Sequence, residues 1–188
     1  MVIQKTNFIS EYECKILSEE LHTRLNGENF SNSPFYHWIE IPKESEFYTS
    51  PFFIKILEKQ LNFLYDEVSD REWKIHYTGF AYQTKGFPYH ADAVWPEHED
   101  HRYMGDPDID NYLQYSGNWI PNYVPSRVFT TVNYLNDVIG GETHFPDLNI
   151  TIQPKRKNMV GFHCDEYHIH GVLPVSKGIR ETLIFWFE

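Results

Sequence analysis

Apolar residues fall at helical spacing only in the first third of the chain. Ser10 precedes Glu11-Tyr12-Glu13 and has an acid three residues on, the capping-box arrangement that opens a helix. Tyr12, Ile16, Leu17 and Leu21 then form one apolar stripe, and Gly27 marks the stop. A second helix is predicted from Pro51 to about Val68, with proline in its first turn and Phe53, Ile56, Leu57, Leu61 and Leu64 along one side. Both stripes read as core packing.

From Trp73 onward the period changes. Short runs of Ile, Val, Thr, Phe and Tyr are punctuated by Gly, Pro, Asn and Asp, which is the pattern of antiparallel strands. Strands are predicted at 73–82, 87–92, 127–135, 142–146, 149–153, 158–163, 168–173 and 179–187. That series suits a jelly roll. The stretch 93–126 between them is rich in proline, acids, histidine and aromatic residues, and a segment of that length reads as a lid or substrate loop. The organisation expected is a helical support at 1–72 and a β core at 73–188 with a loop insertion at 93–126.

Composition narrows the class of protein. With 188 residues the chain fits one domain, and 14 Phe, 13 Tyr and 5 Trp supply enough apolar surface to exclude a disordered chain. Lys and Arg number 16 against 27 Asp and Glu, a net charge of -11 that argues against nucleic acid as the main partner. Cys14 and Cys164 make no CxxC pair, so a disulfide framework and a cysteine-based zinc site are not expected. No apolar run approaches the roughly 18 residues of a membrane span, and residues 1–10 carry no signal-peptide pattern. The expectation is a cytoplasmic chain with no membrane partner; oligomeric state is left open.

Candidate chemistry begins at His90-Ala91-Asp92. Residues two apart on a strand point the same way, so this imidazole and carboxylate can meet one cation. Alone the pair is weak, because a chain with 10 His and 27 acids produces such pairs by chance. Downstream stand Tyr134-Leu135-Asn136, Gly140-Gly141-Glu142-Thr143-His144-Phe145-Pro146, Pro154-Lys155, and His170-Gly171-Val172-Leu173-Pro174-Val175, with Arg180 ten positions after His170. Position parity on a strand does not choose between His168 and His170 as a metal ligand. Arg180, Thr182, Ile184 and Trp186 alternate with Glu181, Leu183, Phe185 and Phe187, which puts a guanidinium among inward-facing neighbours, where it needs an anion.

This ordered set resembles the prolyl 4-hydroxylase group of the 2-oxoglutarate- and Fe(II)-dependent oxygenases. The resemblance implies a mainly β protein with N-terminal helices, folded as a double-stranded β-helix of the jelly-roll, cupin-like kind. It implies iron on His90, Asp92 and His170, His170 being preferred to His168 because it stands directly before Gly-x-x-Pro-Val. It further implies Arg180 as the anchor of the C5 carboxylate of 2-oxoglutarate, with Tyr82 and Tyr134 as cosubstrate contacts; Thr143, Arg127 and Asn136 are pocket candidates with no further assignment. Arginine at position 180, where the collagen-type enzymes use lysine, is closer to the branch that includes the hypoxia-sensing prolyl hydroxylases. The implied activity is hydroxylation of an unactivated C–H bond with 2-oxoglutarate and O2, with room for ascorbate as a helper. Its acceptor is a peptidyl proline, and the aromatic residues Trp95, Tyr103, Tyr112, Tyr115, Trp119 and Tyr123 of the 93–126 loop suit stacking on it. A free amino acid or other small metabolite is the alternative substrate. A non-catalytic jelly-roll metal-binding protein, with a second metal at Glu97-His98-Glu99-Asp100-His101, is the alternative of another class.

Overall fold

The computed structural model describes residues 1–27, 36–69, 71–96, 119–121 and 124–188. Helix α1 spans Glu11–Gly27 and opens on the expected box: the Ser10 N–H donates to Glu13 Oε2 at 2.7 Å, and the Glu13 N–H donates to Ser10 Oγ at 3.2 Å. Such a cap contributes about 1 kcal/mol. Glu13 also accepts from Lys59 Nζ at 2.6 Å, which ties α1 to helix α2, Pro51–Glu67. The buried face of α1 is Cys14, Leu17 and Leu21. Tyr12, expected on that stripe, is 65% exposed, because two residues before Cys14 is about 200° round the helix. In α2, Ser50 Oγ accepts from the Phe53 N–H at 3.1 Å, and the buried side is Phe53, Ile56, Gln60, Phe63 and Leu64. Leu57 and Leu61, expected on that side, are partly buried at its margin. Gln60 is buried among them because Thr131 Oγ1 donates to its Oε1 at 2.8 Å and its Nε2 donates to Asn133 Oδ1 at 3.0 Å.

The strands, in chain order, are β1 Val2–Lys5, β2 Tyr36–Glu40, β3 Ile75–Gln83, β4 Phe87–His90, β5 Val94–Pro96, β6 Trp119–Pro121, β7 Phe129–Tyr134, β8 Ile139–Gly140, β9 Thr143–Phe145, β10 Ile150–Ile152, β11 Met159–His163, β12 His170–Val172, β13 Val175–Lys177 and β14 Arg180–Phe187. The major sheet runs β1-β11-β7-β14-β3-β2 and the minor sheet β10-β9-β12-β4. Every strand pair described is antiparallel. This is the expected mainly β, double-stranded β-helix. Each predicted strand is present, somewhat shorter than read.

The first 72 residues do more than support. Besides both helices they supply β1 and β2, the two edges of the major sheet. The short β8 and β13 pair across the Gly140 turn, where φ is 78° and an added Cβ would lie 2.3 Å from the Pro174 carbonyl oxygen. The 93–126 stretch pairs its ends as β5 and β6; its cluster at 97–101, Tyr103, Tyr112, Tyr115 and Tyr123 and the side chains of Trp95 and Trp119 lie outside what the structure describes.

The sheets divide the core in two. Leu17, Leu21, Phe53, Ile56, Phe63 and Leu64 of the helices join Phe80, Phe129, Leu183, Phe185 and Phe187 in one cluster on the outer face of the major sheet. Burial of each such side chain stabilises by about 1.5–3 kcal/mol. Between the sheets lie Val132, Tyr134, Phe145, Ile152, Val160 and Phe162. β14 serves both sides, with Leu183, Phe185 and Phe187 towards the helices and Arg180, Ile184 and Trp186 lining a cavity between the sheets. Among the described residues no helix is long and apolar enough to cross a membrane.

Candidate metal centre and anion pocket

His90 closes β4 and His170 opens β12, and the two are register partners across that pair. Cross-strand pairing therefore faces one imidazole to the other, their ring centroids 4.4 Å apart. Asp92 comes two residues after His90 and brings Oδ1 to 3.5 Å from His90 Nε2. One ligand atom from each of His90, Asp92 and His170 lies within 4.8 Å of the others, the one such group among the described residues.

The surroundings fix which atoms point inward. His90 Nδ1 donates to the Pro88 carbonyl at 2.9 Å and His170 Nδ1 to the His168 carbonyl at 3.0 Å, so each ring keeps its Nε2 lone pair for the centre. Asp92 Oδ2 accepts from Thr130 Oγ1 at 2.5 Å and from Trp186 Nε1 at 2.9 Å, and Oδ1 is the oxygen turned towards the His90 imidazole. Burial alone would raise the Asp92 pKa; the His90 hydrogen bond, the two imidazoles and the Thr130 hydroxyl outweigh it and hold the group ionised well below the usual carboxylate range. Burial pushes the His170 pKa down to about 4, with His90 adding to the shift and Asp92 opposing it. At neutral pH His170 is thus a neutral imidazole and Asp92 a carboxylate, the protonation states in which these two groups bind a divalent cation. Two imidazoles and a carboxylate on one side of an open cavity fit Fe(II) of the non-haem kind.

His170 also sets a pH dependence. Its ordinary pKa of 6.5 falls to about 4 on folding, so between those values the unfolded chain binds the proton and the folded one does not. Stability of the metal-free protein is thus expected to fall on acidification from about pH 6.5 to 4, by up to about 3 kcal/mol from this group. Asp92, depressed in the folded state, contributes a loss of the same sign at lower pH. Thermal unfolding between pH 7 and 4.5 checks this, and His170→Leu should flatten the profile; an equally steep profile in that variant would contradict the assignment.

Arg180 lines the same cavity and is 3% exposed. Its guanidinium donates to the Gln83 side-chain oxygen and, at 3.1 Å, to Thr143 Oγ1, and it lies 5.3 Å from the centre of the Tyr134 ring. Tyr134 OH in turn meets Thr143 Oγ1 at 2.7 Å. These partners are neutral, the Arg180 Nε is buried without a partner, and among the described residues no carboxylate lies within ion-pair distance. Burial lowers the Arg180 pKa, opposed by Tyr134. A buried cation opposed only by dipoles is a receptor for an anionic group entering the cavity.

Tyr82 does not reach this pocket. It pairs with Glu181 on the outward face of the sheet, packs on the helix-side cluster and stands edge-on to His22 at 6.2 Å. Strand parity is the reason: Ala81 and Gln83 face inward, and Gln83, the register partner of Arg180, takes the place expected of Tyr82. Tyr36 lines the cavity opposite Gln83 and was not expected there; the run Tyr36-His37-Trp38-Ile39 is aromatic or aliphatic on both phases and gives no clear polar–apolar alternation to read. His168 is not on a strand. It closes a single 3-10 turn at Glu166–His168, with Nδ1 at 2.5 Å from Asp165 Oδ1, and serves the triad through its carbonyl.

An aromatic ledge leads away from the metal centre. Trp186, which bonds Asp92, lies 5.0 Å from Trp38 and 5.9 Å from Tyr77, and the Arg127 guanidinium stacks over it at 4.4 Å. Trp38 and Tyr77 stack at 5.7 Å, and all four side chains are half-buried.

A jelly roll that gathers two His, one Asp and an unpaired buried Arg in one cavity defines an iron-dependent oxygenase class. Residues 78–188, more than half of the chain, match the model of the 2OG-Fe(II) oxygenase superfamily, and the chain belongs to that superfamily. Its metal is therefore Fe(II) and its cosubstrate 2-oxoglutarate. Over 109 residues the chain is 25% identical to an Acanthamoeba polyphaga mimivirus protein provisionally named a prolyl 4-hydroxylase, a match of 53% of this chain and 42% of that one. The chain thus spans less than half the length of this curated relative. The fold is similar to the viral collagen prolyl hydroxylase of Paramecium Bursaria Chlorella virus-1 in complex with 2OG, with a TM-score of 0.65 and 20% identity over 99% of this chain and 94% of that one. It is also similar to a Trichoplax adhaerens prolyl hydroxylase in complex with a hypoxia-inducible-factor peptide fragment, with a TM-score of 0.63 and 16% identity over 99% of this chain and 82% of that one.

Proposed function

We propose that the protein hydroxylates a proline C–H bond within a peptide. The observation that carries this reading is the pairing, in one cavity, of the His90-Asp92-His170 cluster with the buried and charge-unpaired Arg180. His90 Nε2, Asp92 Oδ1 and His170 Nε2 would hold Fe(II), and Arg180, steadied by Gln83 and Thr143, would take the far carboxylate of 2-oxoglutarate. Tyr134 acts through Thr143 and through its ring under Arg180. Fe(II) held there would supply the activation of dioxygen, whose four-electron reduction would draw two electrons from 2-oxoglutarate, released as succinate and CO2, and two from the C–H bond, which would become C–OH.

The chain's own residues supply position. Thr130 and Trp186 keep one Asp92 oxygen turned to the centre, and the backbone carbonyls of Pro88 and His168 keep both imidazoles in the ligating tautomer. Ile184, Val132 and Phe162 make the cavity wall apolar, which excludes water from a reactive centre. The ledge of Trp38, Tyr77 and Trp186 offers flat faces to a proline ring, and Arg127 offers a donor to the peptide backbone or an acidic neighbour. The mimivirus relative's name and the peptide-bound Trichoplax structure favour the same acceptor. The cytoplasm, a reducing compartment, suits two free, buried cysteines, and the net charge of -11 disfavours nucleic acid.

Incubation of the iron-loaded protein with 2-oxoglutarate, air and a proline-containing peptide library, beside free amino acids, tests the reading. Peptides should gain the mass of one oxygen atom in step with succinate. Oxidation confined to free amino acids would replace the peptide acceptor with a small-metabolite one.

A further inference from the structure

Asn136 sits where the ladder between β7 and β14 runs out. The last register pair is Tyr134 with Thr182, so Glu181 and Arg180 have no strand partner on that side. The Leu135 N–H still reaches the Glu181 carbonyl at 3.0 Å. Beyond it a side chain takes over: Asn136 Oδ1 accepts from the Glu181 N–H at 3.2 Å, and Asn136 Nδ2 donates to the Ile179 carbonyl at 2.7 Å. An asparagine amide offers one acceptor and one donor side by side, as a peptide unit does, and here it replaces the missing strand. Its two bonds fall on either side of Arg180.

The chain enters β14 through Gly178, which adopts φ 97° in the turn out of β13. On the opposite edge Arg180 pairs with Gln83. At Gly141, φ 71°, an added Cβ would stand 3.2 Å from Arg180 Cδ, so the side-chain stem is walled closely by that turn. We infer that Asn136 is a positioning residue for the cosubstrate: by clamping the backbone at 179 and 181 it fixes the origin of the Arg180 side chain, and through it the place of the guanidinium. The inference rests on the reading of Arg180 as the cosubstrate anchor. Geometric error of this kind is costly, because an anchor on a loose backbone has to be ordered by the ligand it binds.

Asn133 provides a matched control. It lies within β7, three residues before Asn136, and its amide donates to β14, to the Leu183 carbonyl at 3.2 Å, yet it sits on the helix side with Gln60. The experiment titrates 2-oxoglutarate into Mn(II)-loaded wild type, Asn136→Ala, Asn136→Asp, Asn133→Ala and Arg180→Met, with Mn(II) affinity and thermal unfolding measured alongside. Asn136→Ala should weaken 2-oxoglutarate by about 10-fold while Mn(II) affinity holds. In turnover the loss should appear in the 2-oxoglutarate KM, with kcat preserved at saturation. Asn136→Asp keeps the shape and sets an oxygen against the Ile179 carbonyl; it should lose as much, and it serves where the alanine variant folds poorly. Asn133→Ala should lower the unfolding temperature and leave 2-oxoglutarate binding within about two-fold of wild type. Binding in both Asn136 variants within that range overturns the inference, as does an equal loss in Asn133→Ala. If Arg180→Met binds 2-oxoglutarate normally as well, the anchor reading falls with it; if only Arg180→Met fails to bind, the anchor stands and Asn136 alone is refuted.

Discussion

Asp92→Asn should fold like the wild type and lose iron binding by more than about 100-fold, since loss of an outer-shell partner alone costs about 10- to 100-fold. The amide keeps an acceptor for the Thr130 hydroxyl and the Trp186 indole N–H, so those two buried donors remain satisfied. What disappears is the charge that the cation needs. Asp92→Ala removes the acceptor too and strands both donors, each at a cost of about 1–3 kcal/mol, so this variant should lose stability together with metal. Metal titration and thermal unfolding of the two variants separate the effects. Wild-type turnover by Asp92→Asn would end the case for this carboxylate as a ligand.

Arg180→Met should act in opposite directions on binding and on stability. Truncating one partner of a buried charged contact costs about 2–5 kcal/mol, so affinity for 2-oxoglutarate should drop by about 30-fold or more. Before the cosubstrate arrives, however, the wild-type guanidinium is a buried cation with neutral partners and an unpartnered Nε. An apolar chain of similar length relieves that cost, so the unfolding temperature of the metal-free variant should hold or rise. Arg180→Lys should fall between, as a point charge without the planar fork. Calorimetric titration of 2-oxoglutarate and a melting curve are sufficient; a variant that melts early and binds normally would show that Arg180 serves the fold.

The parts legible in the sequence are those where period and side-chain chemistry agree. β14 alternates strictly, and its inward and outward sets stand as read, with Arg180 in the cavity and Leu183, Phe185 and Phe187 on the helices. His90 and Asp92 were readable because two residues on a strand share a face, and His170 because its motif marks it; the three meet as expected. Tyr82 failed by a single step of parity, since nothing local states whether an even or an odd residue of β3 faces the cavity. Tyr36 and Trp38 stayed hidden because β2 is an edge strand whose partner lies some 40 residues away in sequence, and the run is aromatic or aliphatic on both phases. Gln60 was hidden for the opposite reason: a polar residue on the apolar face of α2 looks like an interruption until Thr131 and Asn133 appear beneath it.

The segregation of the major sheet into a helix-packed face and a cavity-lining face has an evolutionary consequence. Tyr36 and Ile184 of the cavity lining, and Trp38 and Tyr77 of the aromatic ledge, share strands with the helix-side core but are not part of it. Under the proposed function, drift at these positions would retune substrate choice while the scaffold's melting behaviour is guarded by another set of residues. The architecture thus leaves a lineage free to exchange acceptors without first acquiring compensating mutations in its foundation.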